Sequence, residues 1–459
     1  MTEEKITAPG ENKMGIMPIN KLLISMSLPI MISMLVQAMY NVVDSIFVGR
    51  ISEHALTAVS MAFPIQSLMI ALGSGTAVGI NAYLSRNLGE KNFERANAAA
   101  LNGIFLAFLS YVAFALFGLF GSHLYFASQI DIPEIVSYGT DYLSICTIVS
   151  IGIFMQLILE RILQSTGKTI YTMITQGTGA IINIIFDPIL IFGYFGFPRM
   201  EVAGAAIATV AGQCVAAILA LIFNLKKNKE LQFHFRKFRP SLYVIGQIYK
   251  VGIPSIIMQS IVSVMTFLFN KILLMFSSTA VSVLGVYFKL QSFIFMPVFG
   301  LNNGMIPIVA YNYGAKKKKR IIDTIKLSVV IAVGIMLVGL LIFQIMPATL
   351  IRMFNDSPDM IAIGVPALRI ISVSFIFAGA GIVSSSVFQA LGNGLYSLIM
   401  SVVRQIVFIV PVAYLFAVTL GLDAVWFSFP IAEISSILLA VFFLKKTYDR
   451  QLKGLPEAE

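Results

Sequence analysis

Two carboxylates lie inside long apolar stretches, in Tyr40-Asn41-Val42-Val43-Asp44 and in Asn183-Ile184-Ile185-Phe186-Asp187-Pro188. Residues three, four and seven apart share a helix face. That spacing puts Gln37, Asn41 and Asp44 on one stripe and Gln176, Asn183 and Asp187 on another. Two carboxylates brought together in a low dielectric cannot both stay charged without compensation. Such a pair suits uptake of a proton, with the titration shared between the two groups. It equally suits a sodium ion held by the hard oxygens of Asp44, Asn183, Asp187 and Thr209, and the residues leave both ions open. The plainer reading is that each Asp hydrogen-bonds a neighbouring helix or pairs with Lys or Arg. Against it, no basic residue falls at a matching depth in the first six apolar segments.

The elements that position these acids follow from composition. Of 459 residues 58% are apolar and 12% charged, against about 25% charged in ordinary soluble proteins, and the mean hydropathy is +0.88. This excludes a soluble enzyme and makes lipid the solvent. Segments long enough to cross a bilayer, about 20 residues each, are expected at roughly 20–48, 55–84, 95–124, 134–162, 169–194, 202–224, 246–274, 280–310, 322–348, 358–388, 395–419 and 423–444. The predicted fold is an all-α integral membrane protein of twelve transmembrane helices. In a bilayer each buried acid costs roughly 2.5–3.5 kcal/mol on insertion scales, so an acid kept there points to function. Several segments hold an internal proline (Pro64, Pro188, Pro254, Pro297, Pro366, Pro411, Pro430), which membrane helices tolerate.

Most of the 32 Lys and Arg fall in the amino terminus, the even-to-odd loops and the tail, with Arg50, Arg199 and Arg352 on the other side. The positive-inside rule then places both termini in the cytoplasm. The first twenty residues lack the basic start and apolar core of a secretory signal. The basic runs Lys226 to Arg239 and Lys316 to Arg320 are read as topology signals attracted to anionic lipid, not as a nucleic-acid surface. Cys146 and Cys214 lie in apolar runs as small hydrophobes, so no disulfide framework or metal cluster is expected.

The chain repeats itself at an offset of 225: Pro29 meets Pro254, Gln66-Ser67 meets Gln291-Ser292, Gly75 meets Gly300, Gly89 meets Gly314, Gly167 meets Gly392 and Gly196 meets Gly421. Six spans per half make the repeat parallel, with an axis along the membrane normal. We expect an N-terminal lobe over 1–224, a polar linker over 225–245 and a C-terminal lobe over 246–459, pseudo-twofold related around a central cleft that opens alternately to each side. The positions 225 after Asp44 and Asp187 are Phe269 and Val412. The acids therefore belong to one lobe only. At 1.5 Å per residue they sit ~9 and ~14 Å from the outer helix ends, in the same half of the membrane.

Other charges are expected to serve packing, or, for one or two of those in the second half, to line the cleft and attract or repel charged cargo. Lys271, Lys289, Arg369, Arg404 and Glu433 fall in spans of the second half, with Glu433 neutralising Arg404 or another cation, while Glu160-Arg161 is expected to snorkel to the surface. His54, His123 and His234 fall near loops. The glutamines Gln37, Gln176, Gln66 and Gln291 are expected along the cleft, where abundant Met and aromatic side chains would suit lipophilic cations.

The stretch Asn41-x-x-Asp44-x-x-x-Val48-Gly49 resembles the first-helix signature of the multidrug and toxic compound extrusion (MATE) family. Gln164-Ser165-Thr166-Gly167, followed by Asn183-x-x-x-Asp187-Pro188 and Ile191-Phe192-Gly193, resembles its helix-four-to-five segment, and Val202-Ala203-Gly204-Ala205-Ala206-x-Ala208-Thr209 the start of its sixth helix. The pattern is most similar to the bacterial branch of MepA-like exporters. The resemblance implies cation-coupling roles for Asp44, Asn183 and Asp187, with Tyr142 and Thr209 as helpers and Asn41 within the signature. It implies export of bulky, often cationic organic drugs in exchange for H⁺ or Na⁺, from a bacterial cytoplasmic membrane, with no enzymatic activity and no cofactor beyond the coupling ion. Another branch of the family carries an acid on helix seven, and none occurs here between Gly252 and Leu274. A lipid-linked saccharide flippase of the same superfamily is the rival reading, and a monomer is expected.

Overall fold

The computed structural model describes residues 12–233 and 238–456. His234 lies outside the described residues, as does the start of the amino terminus. Among the described residues the secondary structure is helical, without strands. The spans are α1 (Ile19–Gly49), α2 (Glu53–Gly89), α3 (Phe93–Phe120), α4 (Pro133–Ile148 with Ile151–Ser165), α5 (Thr169–Phe192), α6 (Glu201–Lys227), α7 (Leu242–Leu273), α8 (Ser278–Gly314), α9 (Lys318–Ile345), α10 (Pro358–Ser372 with Phe375–Ala390), α11 (Gly394–Thr419) and α12 (Leu422–Leu452). All twelve expected spans are present.

Two of them are not straight. α4 bends by 43° after Ile148 and α10 by 50° after Ser372, with no proline at either break. Hydroxyls bonded back to carbonyls loosen a helix locally, and both bends carry them. Thr147 Oγ1 donates to Leu143 O at 2.6 Å, and Ser374 Oγ to Ile371 O at 2.6 Å.

The repeat is visible in the backbone. α2 and α8, and likewise α3 and α9, begin and end 225 residues apart. Ser52 and Ser277 cap α2 and α8 in the same way, their hydroxyls accepting from Ala55 N and Ala280 N. Gly167 and Gly392 turn their chains at φ of 84° and 80°, and Gly196 and Gly421 at 85° and 93°. A side chain at any of these four positions would be strained.

Two six-helix lobes meet through α1 on α8 and α2 on α7, a crosswise exchange of repeated elements. The seam is tight at the end of the molecule that carries the chain termini. A Cβ on Gly89 would strike Tyr311 O, one on Gly314 would strike Arg86 O, and Gly79 meets Ile248 O. Across the same seam Ser27 Oγ donates to Leu301 O at 3.1 Å, Ser74 Oγ to Gln259 Oε1 at 2.9 Å, and Arg86 lies 5.0 Å over the Tyr313 ring. The lobes are closed on each other at that end.

Candidate ion site in the N-terminal lobe

α1 and α5 run side by side, and each brings its acid to the end far from the termini. The Asp44 and Asp187 carboxyl groups lie within hydrogen-bonding reach of one another. Asp187 is fully buried, and Asp44 Oδ1 is buried with no donor. Among the described residues neither acid takes part in an ion pair. A bond between two carboxyl groups needs a proton on one of them, or a cation between them. Nothing basic substitutes for either.

The neighbours supply oxygens and a hydroxyl-rich wall. With its amide turned to satisfy both sides, Asn183 donates to Asp187 Oδ2 at 3.2 Å and accepts from Thr209 Oγ1 at 3.1 Å. This brings Asp187, Asn183 and Thr209 into one cluster. Tyr142 is buried, its hydroxyl accepting from Gln66 Nε2 at 3.1 Å, and Tyr40, Tyr142 and Cys146 lie within electrostatic range of Asp44. Asp44, Asp187, Asn183, Thr209 and Tyr142 are thus brought together. Among the described residues no cluster of three His, Cys, Asp or Glu side chains could hold a metal. Two carboxylates with neutral oxygens fit a hard monovalent cation or a proton better than a transition metal.

Asn41 is exposed, as is Gln37, while Ser33 is buried and Tyr40 and Asp44 are half-buried. Ser33, Gln37 and Tyr40 all line the adjoining cavity. The cavity lining takes Gln37 and Tyr40 from α1 and not Asn41. Gln66 is a wall of the acid cluster through its Tyr142 bond. Its repeat partner Gln291 is half-buried, and the residue 225 after Tyr142 is Ala367.

Glu160 and Arg161 are a correction: neither snorkels. Glu160 is 2% exposed, its Oε1 accepting from Gln156 Nε2 at 3.1 Å and Thr175 Oγ1 at 2.8 Å, and its Oε2 from Gln176 Nε2 at 2.7 Å. Arg161 points the other way, across the lobe seam to Asn303 Oδ1 at 3.0 Å. The signal was present in the i, i+4 pair Gln156–Glu160 and in Thr175-Gln176 on the next helix. A cavity of about 70 Å³ lies between this buried carboxylate and the acid pair, lined by Gln37, Tyr40, Gln156, Gln176, Asn183 and Thr209 among others. It has room for several waters but is far below the 300–1,000 Å³ of pockets that enclose drug-sized molecules.

The equivalent ground in the other lobe is apolar or self-neutralised. Phe269, in the place of Asp44, packs on Phe429 and Trp426 with ring centroids 5.2 and 6.1 Å away. The expected pairing of Glu433 with Arg404 is present at 3.0 Å. Lys271 and Lys289 lie 4.9 and 5.9 Å over the rings of Phe267 and Phe354, while Arg369 is exposed.

Two parallel six-helix repeats around a seam, with an ionisable site in one of them, define a secondary membrane transporter and not an enzyme. The chain belongs to the MATE family, whose MatE model matches it twice, over residues 29–189 and 254–415. It is 28% identical over 431 residues to a multidrug export protein MepA of Staphylococcus haemolyticus, covering 94% of each chain. It is 26% identical over 436 residues to that of Staphylococcus aureus, covering 94% of this chain and 95% of the other. Its fold superimposes with a TM-score of 0.91 on a multidrug resistance MATE transporter in an outward-facing conformation, at 24% identity, over 97% of this chain and 100% of that one.

Proposed function

We propose that this protein is a multidrug exporter of the bacterial cytoplasmic membrane that exchanges bulky, often cationic organic molecules for H⁺ or Na⁺. The observation that carries the reading is the contact between Asp44 and Asp187, which is unstable as two bare charges and has no protein cation beside it. A proton or a sodium ion completes it, with Asn183 and Thr209 as neutral oxygen donors and Tyr142 as a hydrogen-bonding wall. The cavity beside it fits water and an ion, so cargo is assigned to the cleft between the lobes, taken as 1–224 and 246–459 with the linker 225–245.

Both termini are assigned to the cytoplasm from the distribution of Lys and Arg. The end where the lobes are closed is then cytoplasmic, and the structure corresponds to an outward-facing state. Ion occupancy of the pair on α1 and α5 changes how these helices pack and so competes with cargo in the cleft. Whatever the ion does to cargo affinity, cargo does to ion affinity. A lipid-linked saccharide flippase would need a strongly basic cleft for pyrophosphate, and the N-terminal lobe offers the acids Asp44 and Asp187 instead.

The test is drug efflux from proteoliposomes with sodium and proton gradients imposed separately. Export driven by one gradient and lost in Asp44→Asn and Asp187→Asn supports the reading. Wild-type export rates in both variants would remove it.

A further inference from the structure

The described chain begins with a segment that touches both lobes at their closed end. Asn12 Nδ2 donates to Thr166 O at 3.2 Å, in the turn between α4 and α5, and to Glu230 Oε1 and Oε2 at 2.6 and 2.7 Å. Glu230 lies at the start of the linker, which is held to the N-terminal lobe where Gln232 N donates to Asn97 Oδ1 at 2.7 Å. On the other side of the seam the acceptors are carbonyls of the segment. Met14 O accepts from Asn312 Nδ2 and Arg320 Nη2, both at 3.0 Å, Gly15 O from Lys317 Nζ at 2.8 Å, and Met17 O from Arg320 Nη2 at 2.7 Å. Asn312 closes α8, Lys317 precedes α9 and Arg320 is in its first turn.

The seat is shaped for this segment. Asn12 Oδ1 caps the short helix Lys13–Ile16 by accepting from Met14 N at 2.9 Å, and the Met14 side chain is fully buried. Burial pushes the Glu230 carboxyl above its ordinary value and the Lys13 ammonium below its own. Both shifts mark groups withdrawn from water. The repeat provides a control. Asn87 and Arg95 stand 225 residues before Asn312 and Arg320; both asparagines bond a carbonyl one turn back in their own helix, Tyr83 O and Ile308 O, but it is Asn312 that also reaches Met14 O, and Arg95 is exposed. The same residue types seat a strap in one lobe only.

We infer that residues 12–17 are a strap that fastens the N-terminal lobe to the ends of α8 and α9, and that it must leave one of its two seats before this end of the transporter can open. A four-residue helix has no stability of its own, so once unseated the strap unwinds and does not obstruct the opening. The inference rests on the alternating-access reading above. It adds that the amino-terminal segment sets how often the termini-bearing end opens.

The experiment is pulsed spin-label distance measurement on the full chain in lipid nanodiscs. Labels are placed through Glu94→Cys and Lys319→Cys, which are exposed and stand 225 residues apart in the two lobes, with Cys146→Ala and Cys214→Ala as background. Asn12→Ala removes the segment's bonds to the α4–α5 turn and the linker, and Arg320→Ala removes its bonds to Met14 O and Met17 O. Because residues 12–17 run on into α1, the bonds to α8 and α9 are the ones that cross the seam, so Arg320→Ala is expected to raise the population with separated labels about tenfold and Asn12→Ala to raise it by less. Lys317→Ala removes the bond to Gly15 O and gives a smaller shift in the same direction, and unchanged Trp426 fluorescence reports an intact fold. Unmoved distances in Arg320→Ala, or a larger shift in Asn12→Ala than in Arg320→Ala, overturn the strap. The distances are read independently of export, so loss of drug export by the unlabelled wild-type chain overturns the antiport reading separately.

Discussion

Arg404 stands 225 residues after Gly179, and the two positions are put to opposite use. A Cβ at Gly179 would lie 3.0 Å from Gly212 O, so α5 and α6 approach backbone to backbone beside the water-sized cavity. At Arg404 the space holds a guanidinium whose Nη1 is 3.0 Å from Glu433 Oε1, and α11 widens there into a π-helix over Val403–Ile409. One lobe keeps a small polar cavity beside that position. The other carries a tethered cation.

Removing one partner of a buried pair strands the other charge. Arg404→Ala is therefore expected to destabilise the C-terminal lobe by about 3 kcal/mol, while Arg404→Met with Glu433→Leu recovers most of the loss. Trp426, the single tryptophan of the chain, packs on Phe269 in that lobe, and its fluorescence during thermal unfolding measures both. An unshifted midpoint in Arg404→Ala would show that the pair carries no such weight.

The closed seam depends on glycines that touch opposing carbonyls. Gly314→Ala puts a methyl group against Arg86 O, and Gly89→Ala puts one against Tyr311 O. Each variant is expected to fold and to shift the population toward the form open at the termini end by tenfold or more, since backbone atoms cannot yield as a flexible side chain does. Cysteine accessibility from that side reads the shift, and equal accessibility in wild type and variants would count against it.

Inside the N-terminal lobe the roles separate by contact. Asn183→Leu removes the amide that joins Asp187 to Thr209 and is expected to lower gradient-driven export about a hundredfold. Asn41→Ala, on the exposed side of α1, should change it less than twofold. Comparable losses in the two would place the ion site elsewhere on α1.

Glu160 offers a further check. Glu160→Ala leaves Gln156, Thr175 and Gln176 without their acceptor, and orphaned buried donors cost about 1–3 kcal/mol each before water enters. Glu160→Gln keeps an acceptor but removes the charge. The alanine variant should unfold at a lower temperature than the glutamine variant, and equal midpoints would contradict the bonding described.

Much of this was legible in the residues. Hydropathy located the twelve spans, the offset of 225 recurs in the ends of α2 and α8 and of α3 and α9, and the two acids stood out because nothing basic sits near them. The misreadings have one physical source: helical spacing gives faces but not which face turns inward. On α1 the expected stripe of Gln37, Asn41 and Asp44 left out Tyr40, which lines the cavity beside the acids. At Glu160-Arg161, proximity to a helix end suggested escape to the surface. Donors from the next helix and an acceptor across the seam hold both side chains inside. The bends of α4 and α10 went unread because serine and threonine hydroxyls, not prolines, make them.

The most direct measurement is cation release on cargo binding to the purified transporter, followed by ²²Na⁺ displacement and by proton release in weakly buffered detergent solution. Wild-type protein is expected to release one or the other as a cationic drug is added, and Asp44→Asn with Asp187→Asn to release neither while retaining its fold. Undiminished release from that double variant would contradict the assignment of coupling to these two carboxylates.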